Sequence, residues 1–196
     1  MRIIAGEHRG RRLAAPKGTD TRPTTDRVRE SLMSALASAR GGMQGAVVLD
    51  AFAGSGALGL EVMSRGGAAA CLCERDSGAL RVIESNVKAL GYGRDEVRVC
   101  RVDVLSGRLP RLRDPYDLVM LDPPYALEPH EVFALLSRLD EARALSLDVV
   151  VSYEHDVTAN AAVDAELDAG FLQMSSRRRY GDTVVDILVR EKELQS

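Results

Sequence analysis

The stretch YDLVMLDPPYAL, residues 116–127, places a carboxylate, two prolines and an aromatic ring directly after a buried strand. The prolines restrict the backbone and remove two N–H donors, so nearby carbonyl groups keep a fixed direction. The carboxylate of Asp122 and the carbonyl of Pro123 could each accept one hydrogen bond from an amino group. That pair would point the nitrogen lone pair at an electrophile, which is positioning combined with electrostatic preorganisation.

The same residues favour an exocyclic amino group of a nucleobase as the substrate. Tyr125 offers a ring on which a base can stack, and Asp122 is the nearest acceptor for the proton that the nitrogen loses. A paired base cannot reach such a site, so the nucleotide must be unpaired or flipped out. A rigid turn that ends a strand accounts for Asp122, Pro123 and Pro124 but not for the aromatic residue after them.

A glycine-rich loop, VVLDAFAGSGALGLE, leads from one predicted strand into a helix and contains Gly54, Gly56 and Gly59 in the spacing GxGxxG. Alone this is a weak dinucleotide-binding signal. Asp50 argues against a nicotinamide cofactor, because a carboxylate beside a helix N-terminus competes with pyrophosphate for the same N–H donors. S-adenosylmethionine has no phosphate and carries cationic ammonium and sulfonium groups. We therefore predict that it is the cofactor.

Two further carboxylates follow the next two predicted strands. Glu74 ends the second strand and could accept both ribose hydroxyls, and Asp103 lies just beyond the third strand, where it could accept from an adenine amino group. Asp50 could instead cap the helix that follows it, and Glu74 or Asp103 could instead lie in a solvated turn. Together with Asp50 they occupy the carboxyl ends of successive strands, where open α/β sheets bind ligands.

The segments that must position these residues alternate between strand and helix patterns. We predict strands at residues 46–50, 69–74, 97–102, 117–121 and 147–153. We predict helices at 56–65, 77–90 and 128–139, and an earlier helix that starts at Thr25 or Asp26 and stops at Gly41-Gly42. Residues 171–180 and 183–190 read as an antiparallel hairpin. The fold class is therefore α/β, Rossmann-like, with a mainly parallel sheet that closes with this hairpin.

Charge is distributed unevenly along the chain. Residues 1–29 hold eight basic and three acidic side chains, a net charge of +5, which leaves −8 for the rest of a chain whose total is −3. We predict that the first residues form a short two-stranded ribbon that binds a polyanion, although a solvated basic face is the alternative. The candidate residues for binding this polyanion are Arg2, Arg9, Arg11, Arg12, Arg22 and Arg27.

Composition excludes several classes of protein. No apolar run is long enough to span a membrane and the N-terminus has no hydrophobic signal region, so we expect a cytoplasmic protein. Three cysteines and three scattered histidines do not indicate a disulfide framework or a metal site. We expect no metal, no membrane partner and a monomer.

Several segments resemble one family of enzymes. DAFAGSGALGLE and LDPPY resemble the cofactor and catalytic loops of class I amino-methyltransferases. RIIAGEHRGRRL, RPTTDRVRESL and RRYGDT resemble the bacterial small-subunit ribosomal RNA guanine-N2 methyltransferase D family. The resemblance covers nearly the whole chain in order, and the N-terminal motif is its most specific part.

The resemblance implies a fold, a reaction and a set of residues. It implies the seven-stranded methyltransferase sheet, and methyl transfer from S-adenosylmethionine to N2 of one guanine of small-subunit ribosomal RNA, in assembled or assembling subunits. It assigns catalysis to Asp122, Pro123, Pro124 and Tyr125, and cofactor binding to Asp50, Phe52, Gly54, Gly56, Glu74 and Asp103. Thr25 is added because it opens a helix that could meet the methionine carboxylate. We divide the chain into an RNA-binding arm, residues 1–22, and a methyltransferase domain, residues 23–196.

Three other functions are compatible with parts of the sequence. A DNA amino-methyltransferase acting on adenine or cytosine would share DPPY but usually needs a sizeable target-recognition segment, and no such insertion is present. A nicotinamide-dependent oxidoreductase is disfavoured by Asp50 and DPPY. A non-catalytic RNA-binding module explains the arm but gives the glycine loop no purpose.

Overall fold

The computed structural model of this protein describes residues 1–16 and 26–191, and these form one seven-stranded sheet in the order β3-β2-β1-β4-β5-β7-β6. The strands are β1 Val47–Asp50, β2 Ala69–Glu74, β3 Val97–Arg101, β4 Tyr116–Leu121, β5 Leu145–Asp156, β6 Leu172–Tyr180 and β7 Thr183–Arg190. The helices are α1 Asp26–Arg40, α2 Ala57–Ser64, α3 Ser77–Leu90, α4 Pro129–Glu141 and α5 Asn160–Ala169, with a short 3-10 turn at Val157–Ala159. The Rossmann-like fold class predicted from the sequence is confirmed.

Strand direction changes at one edge of the sheet only. Strands β1 to β5 pair in parallel, whereas β7 is antiparallel to both β5 and β6. The chain leaves β1 on one side for β2 and β3, and later enters β4 on the other side of β1. This reversal of strand order opens a crevice beyond the carboxyl ends of β1 and β4, where sheets of this type bind ligands.

Helix ends follow the local chemistry of the sequence. Asp76 caps α3 by accepting from the Ala79 N–H at 2.8 Å, and Gly91 ends that helix in the left-handed region, with φ 83°. Helix α4 starts one residue later than predicted, because Glu128 acts as the N-cap and Pro129 occupies the first turn. Helix α1 ends before Gly41, as expected.

Two features differ from the expectation. Strand β5 is longer than the predicted range 147–153, because it pairs with β7 along seven residues up to Asp156. Helix α5 was not predicted. Its sequence, NAAVDAELDA, buries Val163 alone, so it shows almost no apolar periodicity. Packing against α4 and β6, rather than a strong local signal, stabilises this helix.

The helices cover both faces of the sheet. Apolar side chains of α1, α2 and α3 pack with Ile3 and Leu13 on one face, which we call the α1 face. Side chains of α4 and Val163 of α5 pack on the opposite face, which we call the α5 face. No helix within the described parts of the chain is long and apolar enough to cross a membrane.

The N-terminal ribbon is a small hairpin docked on α2. Arg2 and Arg12 form an antiparallel bridge, and the Ile3 N–H donates to the Arg11 carbonyl at 2.9 Å. The buried carboxylate of Glu61 accepts from the backbone N–H groups of Ile4 and Ala5 at 2.8 and 3.0 Å. The hairpin therefore shares its core with the rest of the protein. The expected boundary at residue 22 lies outside the described residues.

Candidate active site

Three carboxylates lie at the carboxyl ends of the three central strands. Asp50 is the last residue of β1, Asp122 directly follows β4, and Glu154 lies near the end of β5. The register of these parallel strands places all three side chains on the α1 face. We call Asp50, Asp122 and Glu154 the acidic cluster. Withdrawal from water, and then the nearby charges of Glu154 and Asp50, raise the pKa of Asp122 well above its usual range.

The Asp122 side chain receives no hydrogen bond from the described part of the chain. It is half-buried, and no group of residues 1–16 or 26–191 donates a hydrogen bond to its carboxylate. The carbonyl of Pro123 likewise receives no backbone N–H from those residues. Both acceptors are therefore available to an amino group brought to the end of β4.

Asp50 is almost completely buried beneath the glycine loop. Its Oδ2 accepts from the backbone N–H of Gly59, in the first turn of α2, at 3.1 Å. Burial raises the pKa of Asp50 to about 7, and the charge of Glu74 adds to this effect. The carboxylate thus takes one of the helix N-terminal donors that a pyrophosphate would need. This contact supports the interpretation that Asp50 disfavours a dinucleotide.

The glycine loop is tied to the end of the neighbouring strand. Gly54 and Gly56 have φ angles of 54° and 76°, in the region that side chains disfavour. The Gly54 N–H donates to Oε2 of Glu74 at 3.0 Å, and the Asp76 N–H donates to Oε1 at 2.8 Å. A Cβ built on Gly54 meets no atom within 4 Å. There is accordingly room for a ligand beside Gly54 and the Glu74 carboxylate.

Phe52 and Asp103 flank this loop. Phe52 is half-buried and packs on the apolar cluster of the α5 face. Asp103 lies two residues beyond β3, where its Oδ1 accepts from the Leu105 N–H at 3.1 Å. Arg75 lies 3.9 Å from the other oxygen of Asp103. The structure thus places Asp103 at the next strand end after Glu74, with a cation already beside it.

Tyr125 is anchored at its hydroxyl group. The hydroxyl lies 2.6 Å from Oγ1 of Thr183, the first residue of β7, and donates to Oε1 of Glu154 at 3.2 Å. The residue is 51% exposed, so a large part of the ring surface is free for a base. Pro123 is buried and Pro124 is exposed, and the Pro124 carbonyl accepts from the Leu127 N–H at 2.9 Å. The DPPY segment is therefore held at both of its ends.

Glu154 and Thr183 were missed by reasoning from the sequence. Burial raises the pKa of Glu154, and the Tyr125 hydrogen bond opposes that shift. A polar residue at the end of a buried strand was the available signal for Glu154. Thr183 stands in the segment RRYGDT, which carried the family resemblance but no site assignment. Neither signal shows which side chain of the DPPY segment these residues contact.

The candidate RNA-binding residues have different surroundings. Arg9 and Arg12 are exposed, and Arg11 is exposed while it donates to the Ala89 carbonyl at 3.0 Å. Arg2 is paired with Asp26 at 2.9 Å. Arg27 is exposed on the first turn of α1. Thr25 and Arg22 lie outside the described residues.

Known proteins resemble the chain over nearly its whole length. The solved structure of the Escherichia coli protein yhhF, which its description provisionally names a methyltransferase, matches with a TM-score of 0.78 and 32% identity over 98% of this chain and 99% of that one. Bacillus subtilis YlbH, provisionally named an rRNA methyltransferase, is 36% identical over 95% of this chain and 97% of its own length. The Escherichia coli ribosomal RNA small subunit methyltransferase D is 42% identical, over 64% of this chain and 60% of that protein.

A family model supports the same grouping. The model described as "Conserved hypothetical protein 95" matches residues 1–189. The relatives' names and the shared Rossmann-like fold identify the class of enzyme as a methyltransferase. The chain therefore belongs to the conserved hypothetical protein 95 family, that of the small-subunit ribosomal RNA methyltransferase D proteins.

Proposed function

We propose that this protein transfers a methyl group from S-adenosylmethionine to the exocyclic N2 amino group of one guanine in small-subunit ribosomal RNA. The observation that carries the proposal is the position of Asp122. Its carboxylate lies beside the Pro123 carbonyl at the switch point of the sheet, and no described residue donates a hydrogen bond to it. Two fixed acceptors at one strand end suit the two N–H bonds of an amino group.

The residues of the glycine loop fit S-adenosylmethionine, which when bound supplies an electrophilic methyl group on a cationic sulfur. Both Glu74 oxygens accept one backbone N–H each, and a carboxylate oxygen can accept a second hydrogen bond, so Glu74 can still hold two ribose hydroxyls. Asp50 supplies negative charge beneath the loop, which suits an ammonium group. Phe52, Gly54, Gly56 and Asp103 complete the proposed cofactor site, with Thr25 proposed for the methionine carboxylate.

The catalytic segment orients the amino group and accepts its proton. Asp122 and the Pro123 carbonyl each accept one N–H bond, which favours a pyramidal nitrogen with its lone pair directed at the cofactor site. Asp122 then takes the proton that the nitrogen sheds. A cation beside Asp50 favours its ionised form, and the N–H bond that the amino group donates favours the ionised form of Asp122, which offsets the raised pKa of both carboxyl groups. Tyr125 supplies the stacking surface, and Pro123 and Pro124 keep the segment rigid.

The N-terminal arginines are proposed to hold the RNA backbone. Arg9, Arg11 and Arg12 are exposed on the docked hairpin, so they can contact phosphates without disturbing the core. We retain residues 1–22 as the RNA-binding arm and residues 23–196 as the methyltransferase domain. We also propose that the enzyme is a monomer that acts in the cytoplasm, where bacterial small subunits assemble.

Small ribosomal subunits that lack the modification provide the direct test. Incubation with the purified protein and isotope-labelled S-adenosylmethionine should place the label on one guanine, which nuclease digestion and mass spectrometry would identify as N2-methylguanosine. Duplex DNA containing adenine and cytosine is the parallel substrate. Label on the DNA alone would support an amino-methyltransferase of DNA instead, and label on neither would overturn the proposal.

A further inference from the structure

Three consecutive arginines in β6 have different surroundings. Arg177 is paired with Asp186 at 2.7 Å and with Asp164 of α5 at 2.8 Å, so its charge is neutralised on the α5 face. Arg178 points to the α1 face, where its Nη1 donates to the Ser31 hydroxyl at 3.1 Å. Alternation along the strand returns Arg179 to the α5 face. Arg178 alone of the three therefore lies on the same face as the acidic cluster.

The charge of Arg178 has no neutralising partner among the residues that the structure describes. Within residues 1–16 and 26–191, no carboxylate forms an ion pair with Arg178 or with Arg27. The acidic residues in the first turns of α1 form ion pairs with other arginines. Asp26 pairs with Arg2 and Arg29, and Glu30 pairs with Arg65.

Arg178 reaches the first turns of α1 on the side of the helix that carries Arg27. Arg27 and Ser31 are four residues apart in the helix, so their side chains are neighbours on its surface. Ser31 is the residue that Arg178 contacts, and its hydroxyl also lies 2.6 Å from the Tyr180 hydroxyl. The contact between the Tyr180 and Ser31 hydroxyls therefore joins the β6–β7 hairpin to α1, and it places Arg178 on the helix face that also carries Arg27. Both arginines remain accessible to solvent.

This pair of arginines lies close to the acidic cluster. Arg178 pairs with Val185 of β7, and Val185 pairs with Glu154 of β5. The three residues form one row across the sheet, so Arg178 stands two strand spacings, about 10 Å, from Glu154. Glu154 in turn receives the hydrogen bond of Tyr125. The row therefore leads from Arg178 to the residue that anchors the Tyr125 hydroxyl.

We propose that Arg178 and Arg27 together bind an RNA phosphate that flanks the target nucleotide. The inference rests on the proposed function and adds a contact outside the N-terminal arm. Two convergent, solvent-accessible guanidinium groups without carboxylate partners among the described residues suit a phosphodiester, which both can contact through charge-assisted hydrogen bonds. The β6–β7 hairpin thereby acts as an RNA-binding element beside the catalytic segment.

Salt dependence of binding distinguishes a phosphate contact from a structural role. Affinity for unmodified small subunits would be measured over a range of salt concentrations for wild type, Arg178→Gln and Arg178→Lys. We expect Arg178→Gln to lower affinity about tenfold and to reduce the salt slope by about 0.7–0.9, the value for one phosphate contact. Arg178→Lys should keep most of the slope because it keeps the charge. If Arg178→Lys and Arg178→Gln lowered the affinity and the salt slope equally, the proposal would be contradicted.

Arg179→Gln is the matched control, because it removes the same charge from the adjacent residue on the other face. We expect its affinity and salt slope to equal those of wild type. The double variant Arg27→Gln/Arg178→Gln should lose less affinity than the sum of the two single losses if both groups hold one phosphate. Unchanged melting temperatures would show that the fold is intact.

The outcomes also separate this inference from the proposed function. If wild type methylates ribosomal RNA and Arg178→Gln binds with the wild-type slope, the inference fails while the proposed function stands. If Arg179→Gln reduces the slope as much as Arg178→Gln, general charge rather than the Arg27–Arg178 pair is responsible, and the inference fails. Failure of wild type to methylate the subunits would instead overturn the proposed function.

Discussion

The hydroxyl of Tyr125 lies 2.6 Å from the hydroxyl of Thr183, which joins the DPPY segment after β4 to the first residue of β7. The two residues are 58 positions apart in the chain. The terminal hairpin therefore supports the DPPY segment as well as closing the sheet.

Substitutions at Tyr125 separate the ring from its hydroxyl. Tyr125→Phe loses the hydrogen bonds to Thr183 and Glu154 but keeps the stacking surface. Because the ring remains, we expect most activity to remain. Tyr125→Ala should also lose base stacking, worth about 1–3 kcal/mol. Single-turnover methylation of unmodified small subunits is the measurement. Thr183→Val should resemble Tyr125→Phe. A Tyr125→Phe variant as inactive as Asp122→Ala would mean that the hydroxyl takes part in the chemistry.

Asp122 should be required for turnover but not for cofactor binding. Asp122→Ala removes one of two acceptors for the amino group, and we expect turnover to be abolished while the dissociation constant for S-adenosylmethionine changes little. Asp122→Asn should be less severe, because an amide oxygen still accepts a hydrogen bond although it is a poor proton acceptor. Single-turnover rates and calorimetry provide the two readouts. Equal losses of turnover and cofactor affinity in Asp122→Ala would place Asp122 in the cofactor site.

Glu74 should determine cofactor affinity. Glu74→Ala removes two charge-assisted hydrogen bonds to the ribose, each worth about 1.5–3 kcal/mol, so binding should weaken at least tenfold. The same change releases the Gly54 N–H, which loosens the glycine loop. Calorimetric titration with S-adenosylmethionine measures the effect. Arg81→Ala, an exposed change on α3, is the control. An unchanged dissociation constant for Glu74→Ala would place the cofactor elsewhere.

Cofactor affinity should depend on pH through Asp50. Burial raises the pKa of Asp50 to about 7 in the free protein, and a bound cation favours the ionised carboxylate. The contribution of Asp50 is therefore complete well above pH 7 and is lost as the pH falls through that value. We expect the dissociation constant to rise about tenfold from pH 8 to pH 6. Asp50→Asn should bind more weakly, with a flatter profile. A wild-type profile as flat as that of Asp50→Asn would contradict this assignment.

The arm should contribute to RNA binding without affecting the cofactor. Replacing Arg9, Arg11 and Arg12 by glutamine should weaken binding to small subunits and reduce the salt slope by up to about 0.9 for each phosphate that the arm no longer binds. Binding of S-adenosylmethionine should hardly change, since none of the three touches the glycine loop. Arg11 also donates to the Ala89 carbonyl, so melting temperatures are needed alongside. A parallel loss of cofactor affinity would make the arm part of the cofactor site.

The sequence by itself determined most of the helices and strands, and the strand ends at which the candidate site residues lie. Apolar runs between helical segments predicted the parallel strands, because buried strands and amphipathic helices leave local patterns. Asp50, Glu74 and Asp122 could be assigned to one edge of the sheet, since parallel strands present their carboxyl ends together. Helix α5 left no such pattern, because it buries a single apolar side chain.

The tertiary structure decided which distant side chains meet. The contacts of Tyr125 with Thr183 and Glu154 depend on the pairing of β5 with β7, and no local pattern encodes that register. The pairing of β6 with β7 likewise places Arg178 on a different face of the sheet from Arg177 and Arg179. In the sequence, Arg177, Arg178 and Arg179 are three identical basic residues that nothing distinguishes. In β6 their side chains alternate between the face that meets α1 and the face that meets α5, so they have different partners. Side-chain roles at this edge were therefore set by packing rather than by residue type.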